Sequence, residues 1–341
     1  MFNDKHFLNF IKKITIKMLP ILFLLGVFSG YMPSYMIYNS KAQKTDFDDL
    51  VEQAKKADLV FFGEEHNNPI DHWLELRLLK ALYKAHKENL VMGAEMFEAD
   101  GQLLIDEYFN NQISKKSFEA EERLWKNYKT DYKPLLEFAK EKKLKLVATD
   151  IPRRYAATVA RKGLKYLDSL DAQSKSYIAD LPVEVNKNLK VYKELQEMMS
   201  GMGGGHKMTE SKKKKEIQPS SQSDTTKAGK EKKAEMNEMK KMMKSHNLSH
   251  IVEAQAIKDA TMAKFILKNM KPGNKFIHFN GSKHSDYHEG IVWYIKQARP
   301  DLKILVISSN EQSSLDSLET ENKDLGDFII ITPDDMTKTN R

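Results

Sequence analysis

Two G-x-x-H turns carry the residue types best suited to chemistry in this 341-residue chain. Gly63-Glu-Glu-His66 and Gly281-Ser-Lys-His284 each directly follow a short apolar run that predicts a buried strand. A helical pattern follows each turn. Because the carboxyl ends of strands in an open α/β sheet lie along one edge, where ligands bind, we expect His66 and His284 to meet at one site despite their wide separation in sequence.

Further polar residues fall at or near predicted strand ends. Imidazoles combined with a carboxylate are the ligand types of zinc or iron sites, and they also suit a general base with its orienting partner. The alternative is purely structural, with the same side chains hydrogen-bonding to one another and to strand-end backbone. The candidate residues are His66, Glu95 and His284, with Glu65, His278 and Asn280 beside them.

The elements that must position these residues are strands alternating with helices. Most strand candidates are continuous apolar runs, which indicates a sheet covered on both faces. We therefore predict an α/β fold with a mainly parallel sheet flanked by helices. Asn68 is a predicted helix N-cap and Pro69 suits the first helical position. The predicted strands are Leu59–Gly63, Leu90–Glu95, Leu144–Asp150, Phe276–Asn280, Leu302–Ser308 and Phe328–Thr332.

The domain organisation follows from shifts in composition. Residues 1–40 place four lysines before an apolar centre, which predicts a signal peptide or a signal anchor. Residues 45–335 form the predicted α/β domain. Residues 185–270 are predicted to form a helical subdomain within it, and 201–234 a flexible low-complexity insertion rich in Lys and Met. We expect the chain beyond the first segment to lie outside the cytoplasm.

Composition and charge exclude several functions. The chain has no cysteine, which excludes disulfides, thiolate metal sites, a Cys nucleophile and haem attachment through C-x-x-C-H. The net charge of +7 comprises +3 in residues 1–40 and +6 in residues 207–244, so the remainder carries −2. A nucleic-acid-binding domain would carry its basic excess on the folded part, so nucleic acid is not the expected partner.

Five motifs in sequence order resemble the ChaN-like family of haem-binding, iron-regulated proteins, within the Tiki/erythromycin-esterase-like superfamily. The resemblance covers about residues 45–310 without the Lys-rich insertion. The motifs are Gly63-Glu-Glu-His66, Gly93-Ala-Glu-Met-Phe97, Asp150-Ile-Pro-Arg-Arg-Tyr155, Ala254-Gln-Ala-Ile-Lys-Asp-Ala-Thr-Met262 and His278-Phe-Asn-Gly-Ser-Lys-His-Ser-Asp-Tyr287.

The resemblance implies an extracytoplasmic haem-binding protein that takes part in haem or iron uptake. By motif position, Tyr155 is the expected iron ligand, since a tyrosinate is a known axial ligand of haem iron. Arg153 and Arg154 suit the two haem propionates, because guanidinium groups bind carboxylates bidentately. The alternative for these three residues is a surface ion pair and a core tyrosine. The expected partners are haem, a second copy of the chain and envelope haem-uptake components.

A second function implied by the resemblance is hydrolysis. In the related Tiki-like proteases the two G-x-x-H elements are associated with a divalent metal, and the matching residues here are His66, Glu95 and His284. These three residues would activate water, with or without the metal. A catalytically inert envelope scaffold is the third alternative.

Overall fold

The computed structural model describes residues 33–203 and 250–339, and the centre of this part is an eight-stranded sheet. Its strands are β1 (Met36–Asn39), β2 (Lys44–Thr45), β3 (Leu59–Glu64), β4 (Leu90–Glu98), β5 (Lys145–Asp150), β6 (Lys275–Gly281), β7 (Ile304–Gln312) and β8 (Phe328–Pro333).

The strands are arranged in the order β2-β1-β8-β7-β3-β6-β4-β5. All pairs from β8 to β5 are parallel, whereas β1 runs antiparallel to both β2 and β8. Gly63 of β3 is in register with Asn280 of β6 on one side and with Ser308 of β7 on the other. The carboxyl ends of β3, β6, β4 and β5 therefore lie side by side at one edge.

Helices connect the parallel strands. They are α1 (Phe47–Ala54), α2 (Pro69–His86), α3 (Gln102–Phe109), α4 (Lys115–Glu121), α5 (Lys133–Glu141), α6 (Arg153–Lys162), α7 (Ala172–Ser176), α8 (Lys190–Gly203), α9 (Ile251–Asn269) and α10 (Ile291–Ala298). The start of α2 is as predicted: the Asn68 side chain accepts hydrogen bonds from the backbone N–H groups of Ile70 and Asp71, and Pro69 occupies the first turn.

Both faces of the sheet are buried, because helices cover each of them. Neighbouring residues of β3 point to opposite faces, so Phe62 packs in one apolar cluster with Leu78 of α2, while Phe61 packs in another with Ile266 of α9. This arrangement explains why the strands are continuous apolar runs rather than alternating ones.

The predicted fold class is confirmed, since the sheet is mainly parallel and flanked by helices. Each of the six predicted strands is present, and β4 and β7 extend further than predicted. The antiparallel strands β1 and β2 were not predicted, and β1 falls within the predicted 1–40 segment. β2 has only two residues and β1 only four, which is too short for an apolar run to stand out in the sequence.

The N-terminal and insertion predictions fall largely on residues that the structure does not describe. Residues 1–32 of the predicted signal segment and 204–234 of the predicted insertion lie outside the described ranges. Within residues 33–203 and 250–339, none of the helices has the length and apolar character needed to cross a membrane.

Candidate functional site

The candidate site lies at the carboxyl edge of the sheet, where four parallel strands end. Glu95 belongs to β4 at a point where the pairing of β4 with β5 shifts register between Ala94 and Glu98. Such an irregularity re-aims side chains next to it. The Glu95 carboxylate turns toward β6 and accepts a hydrogen bond from the backbone N–H of Gly281, with an N···O distance of 2.8 Å.

Glu95 is the centre of a buried chain of charged groups. Its Oε1 atom lies 2.9 Å from Lys258 Nζ and 3.2 Å from His284 Nε2. On its other side, His284 donates a short hydrogen bond from Nδ1 to Asp259, and Asp259 also accepts a bond of 2.7 Å from the Tyr192 hydroxyl. Both ring nitrogens of His284 therefore face carboxylates.

These contacts determine the charge of each group. Burial opposes the charged form of His284, but Glu95 and Asp259 outweigh it and raise its pKa to about 9. Burial likewise opposes ionisation of Glu95, yet His284 and Lys258 hold the pKa of that carboxyl well below its usual range. Burial raises the pKa of Asp150, which lies 3.8 Å from Lys258, to about 7. At neutral pH the centre of the site is an ionised Glu95 between two cations.

His66 approaches this centre from the end of β3. Its Nδ1 atom donates to Glu64 Oε1 at 2.7 Å, and its ring packs edge-on against Trp125 with centroids 4.8 Å apart. A Cβ atom at position 281 would lie 2.8 Å from His66 Nε2 and 3.6 Å from Glu95 Oε2. A side chain at position 281 would therefore push the His66 ring aside. The structure brings His66, Glu95 and His284 together, as the strand-end argument predicts.

The remaining strand-end candidates lie beside this group in supporting positions. His278 is fully buried, donates from Nδ1 to Asn280 Oδ1 at 2.9 Å and contacts the Thr149 hydroxyl at 2.8 Å. Burial lowers the pKa of His278 to about 4, so it is neutral. Asn280 in turn donates to the Ser285 hydroxyl. Glu65 is near Ser282, with 3.4 Å between the two side-chain oxygens.

The arginine pair at the start of α6 lies in an ion-pair cluster. Arg153 contacts Glu98 and Arg154 contacts Asp100, while Arg123 contacts both of these carboxylates. Three guanidinium groups thus face two carboxylates. A third carboxyl group, that of Glu122, also interacts with Arg123, and burial raises its pKa to about 7.

Tyr155 follows these arginines on α6 and is half-buried among apolar residues. The Arg154 guanidinium lies 4.5 Å from the centre of its ring, and the Arg154 Nη2 atom is 3.4 Å from its hydroxyl oxygen. Tyr155 is therefore near the arginine cluster and not among the residues around Glu95.

A cleft of about 510 Å³ connects the two groups of residues. One wall contains Lys258 and Asp150 of the strand-end site, and another contains Arg153. Apolar area comes from Trp125 and Ala156. Because Glu98 and Asp150 also line it, the cleft combines an apolar surface with cationic and acidic groups.

Several residues of the site did not stand out in the sequence. Lys258 and Asp259 lie inside one of the five motifs, but a charged pair in a helix usually faces solvent, so their sequence context alone did not mark them. Glu64, which orients His66, is the other glutamate of the first G-x-x-H turn. His72 and Glu75 follow three residues apart on α2, a spacing that places both on one helix face.

A group of side chains other than the predicted set has donor atoms close enough together to share one metal ion. Within residues 33–203 and 250–339, the acidic and histidine side chains whose ligand atoms all lie within 4.8 Å of one another are Glu64, His72 and Glu75. In the same residues, the ligand atoms of the predicted set of His66, Glu95 and His284 do not all lie within this distance, and the Glu95 carboxylate contacts Lys258 and the Gly281 N–H.

Several solved structures are similar to this chain. The structure of cofacial haem binding to ChaN of Campylobacter jejuni aligns at 18% identity with a TM-score of 0.55, covering 87% of this chain and 96% of that one. The type III effector HopBA1 aligns at 13% identity with a TM-score of 0.41, covering 85% of this chain and 94% of its own. A mutant of the erythromycin esterase EreC aligns at 14% identity with a TM-score of 0.40, covering 88% and 83%.

No curated protein matches the chain by sequence. A family model described as haem-binding uptake, Tiki superfamily, ChaN matches residues 50–295, which is well over half of the sequence. The parallel sheet, the strand-end histidines and this match lead to one conclusion: the chain belongs to the ChaN family of the Tiki superfamily.

Proposed function

We propose that this protein binds haem at the cleft beside α6. The observation that carries the proposal is the match of the haem-binding ChaN family model over residues 50–295. The fold similarity to ChaN of Campylobacter jejuni, a protein with cofacially bound haem, extends over nearly the whole of both chains and supports it.

Arg153 lines the cleft, and Arg154 and Tyr155 are the next two residues of α6; together their side chains fit the chemistry of haem. Tyr155 would supply a phenolate oxygen, which is a known ligand of ferric haem iron. Arg153 and Arg154 would bind propionates, in competition with the carboxylates of Glu98 and Asp100 that they contact here. The two arginine side chains are 58% and 48% exposed, so a propionate reaches them without unfolding the cluster. Trp125 and Ala156 provide apolar surface for the porphyrin.

The proposed role is haem uptake or handling outside the cytoplasm. The basic and apolar character of residues 1–40 supports export or anchoring. We further propose that two copies of the chain enclose the ligand and that envelope haem-uptake components are its partners. Size-exclusion chromatography of the full-length protein with and without haem tests whether two copies associate around the ligand.

The first prediction concerns the iron ligand. Replacing Tyr155 by phenylalanine removes the phenol oxygen but keeps the ring, so we expect the tyrosinate-like absorption of the haem complex to disappear while the protein stays folded. The measurement is a haem titration of the full-length chain followed by absorbance.

Tyr166→Phe is the matched control, because Tyr166 packs in the same apolar cluster as Tyr155. Its haem spectrum should equal that of the unmodified protein. Equal spectra for Tyr155→Phe and the unmodified protein would remove Tyr155 as the ligand. If the unmodified protein does not bind haem saturably, the proposed function itself is wrong.

Hydrolysis is the second candidate function, and the position of His66 favours it. Because Nδ1 of His66 donates to Glu64, its Nε2 atom is the nitrogen that faces Gly281 and the neighbourhood of Glu95. An imidazole oriented in this way by a buried carboxylate suits a general base acting on water. The His66 side chain is 44% exposed, so solvent reaches it.

A general-base role for His66 makes a testable prediction. We expect His66→Ala to abolish hydrolysis of a simple aryl ester while leaving haem affinity nearly unchanged. Burial opposes the charged form of His66, but Glu64 and Glu95 raise its pKa above the ordinary histidine value. The neutral base therefore accumulates as the pH rises, and the hydrolysis rate of the unmodified protein should rise above neutral pH. His288→Ala, at an exposed histidine, is the control; retained hydrolysis in His66→Ala would reject the role.

A further inference from the structure

A second group of acidic and histidine side chains lies behind His66, on the side away from Glu95. It consists of Glu64 at the end of β3 and His72 and Glu75 on the first turns of α2. All three are buried, with exposed fractions of 1%, 5% and 0%. No step of the proposed haem binding or hydrolysis uses His72 or Glu75.

The donor atoms of this group are spaced like ligands around one ion. His72 Nδ1 lies 2.9 Å from Glu64 Oε2 and 3.0 Å from Glu75 Oε2. Metal bonds near 2.1 Å place neighbouring ligand atoms roughly 3 Å apart, so little movement would be needed. Two ligands come from one helix face at positions i and i+3, and the third comes from a strand, so rigid elements hold all of them.

The second ring nitrogen of His72 is oriented as in metal-binding histidines. His72 Nε2 lies 3.2 Å from the backbone carbonyl oxygen of His66, which can only accept a hydrogen bond, so this nitrogen carries the proton. Asp131 reinforces the arrangement, since its Oδ2 lies 3.4 Å from the same nitrogen. Histidines that bind metals typically donate their other N–H to a carbonyl or a carboxylate in this way. Nδ1 faces carboxylate oxygens of both glutamates at 2.9 and 3.0 Å and donates to them in this structure, so a bound ion would take the place of the Nδ1 proton.

An independent observation points to a missing ligand within this group. Glu75 is completely buried, and its Oε1 atom has no hydrogen-bond partner in the described structure. Glu64 Oε2 also lacks a hydrogen bond, although it lies near His72. A buried carboxylate oxygen without a partner loses the solvation that it has in water, so such atoms are rare in native proteins. A cation bound by Glu64 Oε2 and by both oxygens of Glu75 would satisfy both atoms.

We propose that Glu64, His72 and Glu75 bind one divalent first-row metal ion. Two carboxylates balance the charge of the ion, and a neutral imidazole completes a donor set typical of Zn²⁺ or Mn²⁺. The ion would also act on the neighbouring site. Glu64 uses its other oxygen, Oε1, to accept hydrogen bonds from His66 and from the Tyr132 hydroxyl, so an ion that orients Glu64 also orients His66.

The experiment is metal analysis of the full-length chain after chelation and re-equilibration with Zn²⁺ or Mn²⁺, with Mn²⁺ binding also followed by electron paramagnetic resonance. We expect about one ion per chain in the unmodified protein. Glu75→Gln keeps the size of the side chain but removes its charge, and should weaken Mn²⁺ binding by about tenfold or more. Failure of the unmodified protein to bind either ion near stoichiometry would overturn the proposal.

Two control variants test the location of the ion. Glu122→Gln changes another buried glutamate that has an oxygen without a hydrogen-bond partner, and it should leave the ion bound. His284→Gln should also retain the ion. If this variant loses the ion, the ion binds at the Glu95 site instead. If Glu75→Gln does not fold, Glu75→Asp provides the test, because it keeps the charge but withdraws the carboxylate by one methylene group. Undiminished affinity in the folded variant rejects this site.

Discussion

Replacing Lys258 by methionine should lower the free energy of unfolding by about 2 to 3 kcal/mol, because it leaves buried carboxylates without their cation. Lys258 Nζ contacts Glu95 at 2.9 Å and lies 3.8 Å from Asp150, and both carboxylates are buried. Breaking a fully buried pair costs more, but 24% of the Lys258 side chain reaches solvent, and water there screens part of the loss. Methionine retains the unbranched stem, so the apolar packing of α9 is preserved.

Urea denaturation at pH 7.5 measures this loss, with Lys268→Met as the matched control. Lys268 belongs to the same helix but is exposed, so the same substitution there should change the unfolding free energy by less than about 0.5 kcal/mol. If both variants lose the same amount, the loss reflects the helix and not the charges at Glu95, and the electrostatic account of the site is wrong.

The second large effect is a loss of stability at alkaline pH that depends on His284. The folded-state pKa of this histidine is raised from 6.5 to about 9, because Glu95 and Asp259 outweigh the opposing effect of burial. The folded state thus binds the proton more tightly than the unfolded state. The stabilisation is complete below pH 6.5 and is lost as the pH rises through about 9. Its full size is about 3 kcal/mol, at 1.36 kcal/mol for each pKa unit.

Urea denaturation at a series of pH values from 6 to about 10 tests this prediction. His284→Gln cannot bind the proton, so its unfolding free energy should be lower at pH 6 and should approach that of the unmodified protein at the alkaline end. His288→Gln, at an exposed histidine, should keep the steep pH dependence. Parallel curves for His284→Gln and the unmodified protein would mean that His284 is not the protonated group.

The strand-end site shows which features of a site can be predicted from a sequence pattern. His66 and His284 each follow an apolar run, and parallel strands bring such positions to one edge, so their meeting with Glu95 was predictable. The same reasoning could not distinguish the two glutamates of Gly63-Glu-Glu-His66. Glu64 is buried and bonded to His66, whereas Glu65 is near Ser282. Their difference depends on the local backbone after β3.

The binding partners of the arginine pair could not be predicted from the sequence. Arg153 and Arg154 were predicted to meet carboxylates, and the structure has them bonded to Glu98 and Asp100 of the protein itself. An arginine pattern specifies a preference for carboxylates, but it does not identify which carboxylate lies within reach. That identity depends on the end of β4, which places the two acidic residues beside α6.

The sequence by itself determined the α/β class, the parallel strands and the residues at their ends, because burial on both faces imposes continuous apolar runs that can be read without coordinates. Only the tertiary structure decided the charges and partners of the site. Lys258, Asp259, His72 and Glu75 lie on helices whose sequence pattern does not specify which neighbouring strand they face. Packing of those helices on the sheet set the distances of a few ångströms, and electrostatic interactions between buried groups depend on such distances.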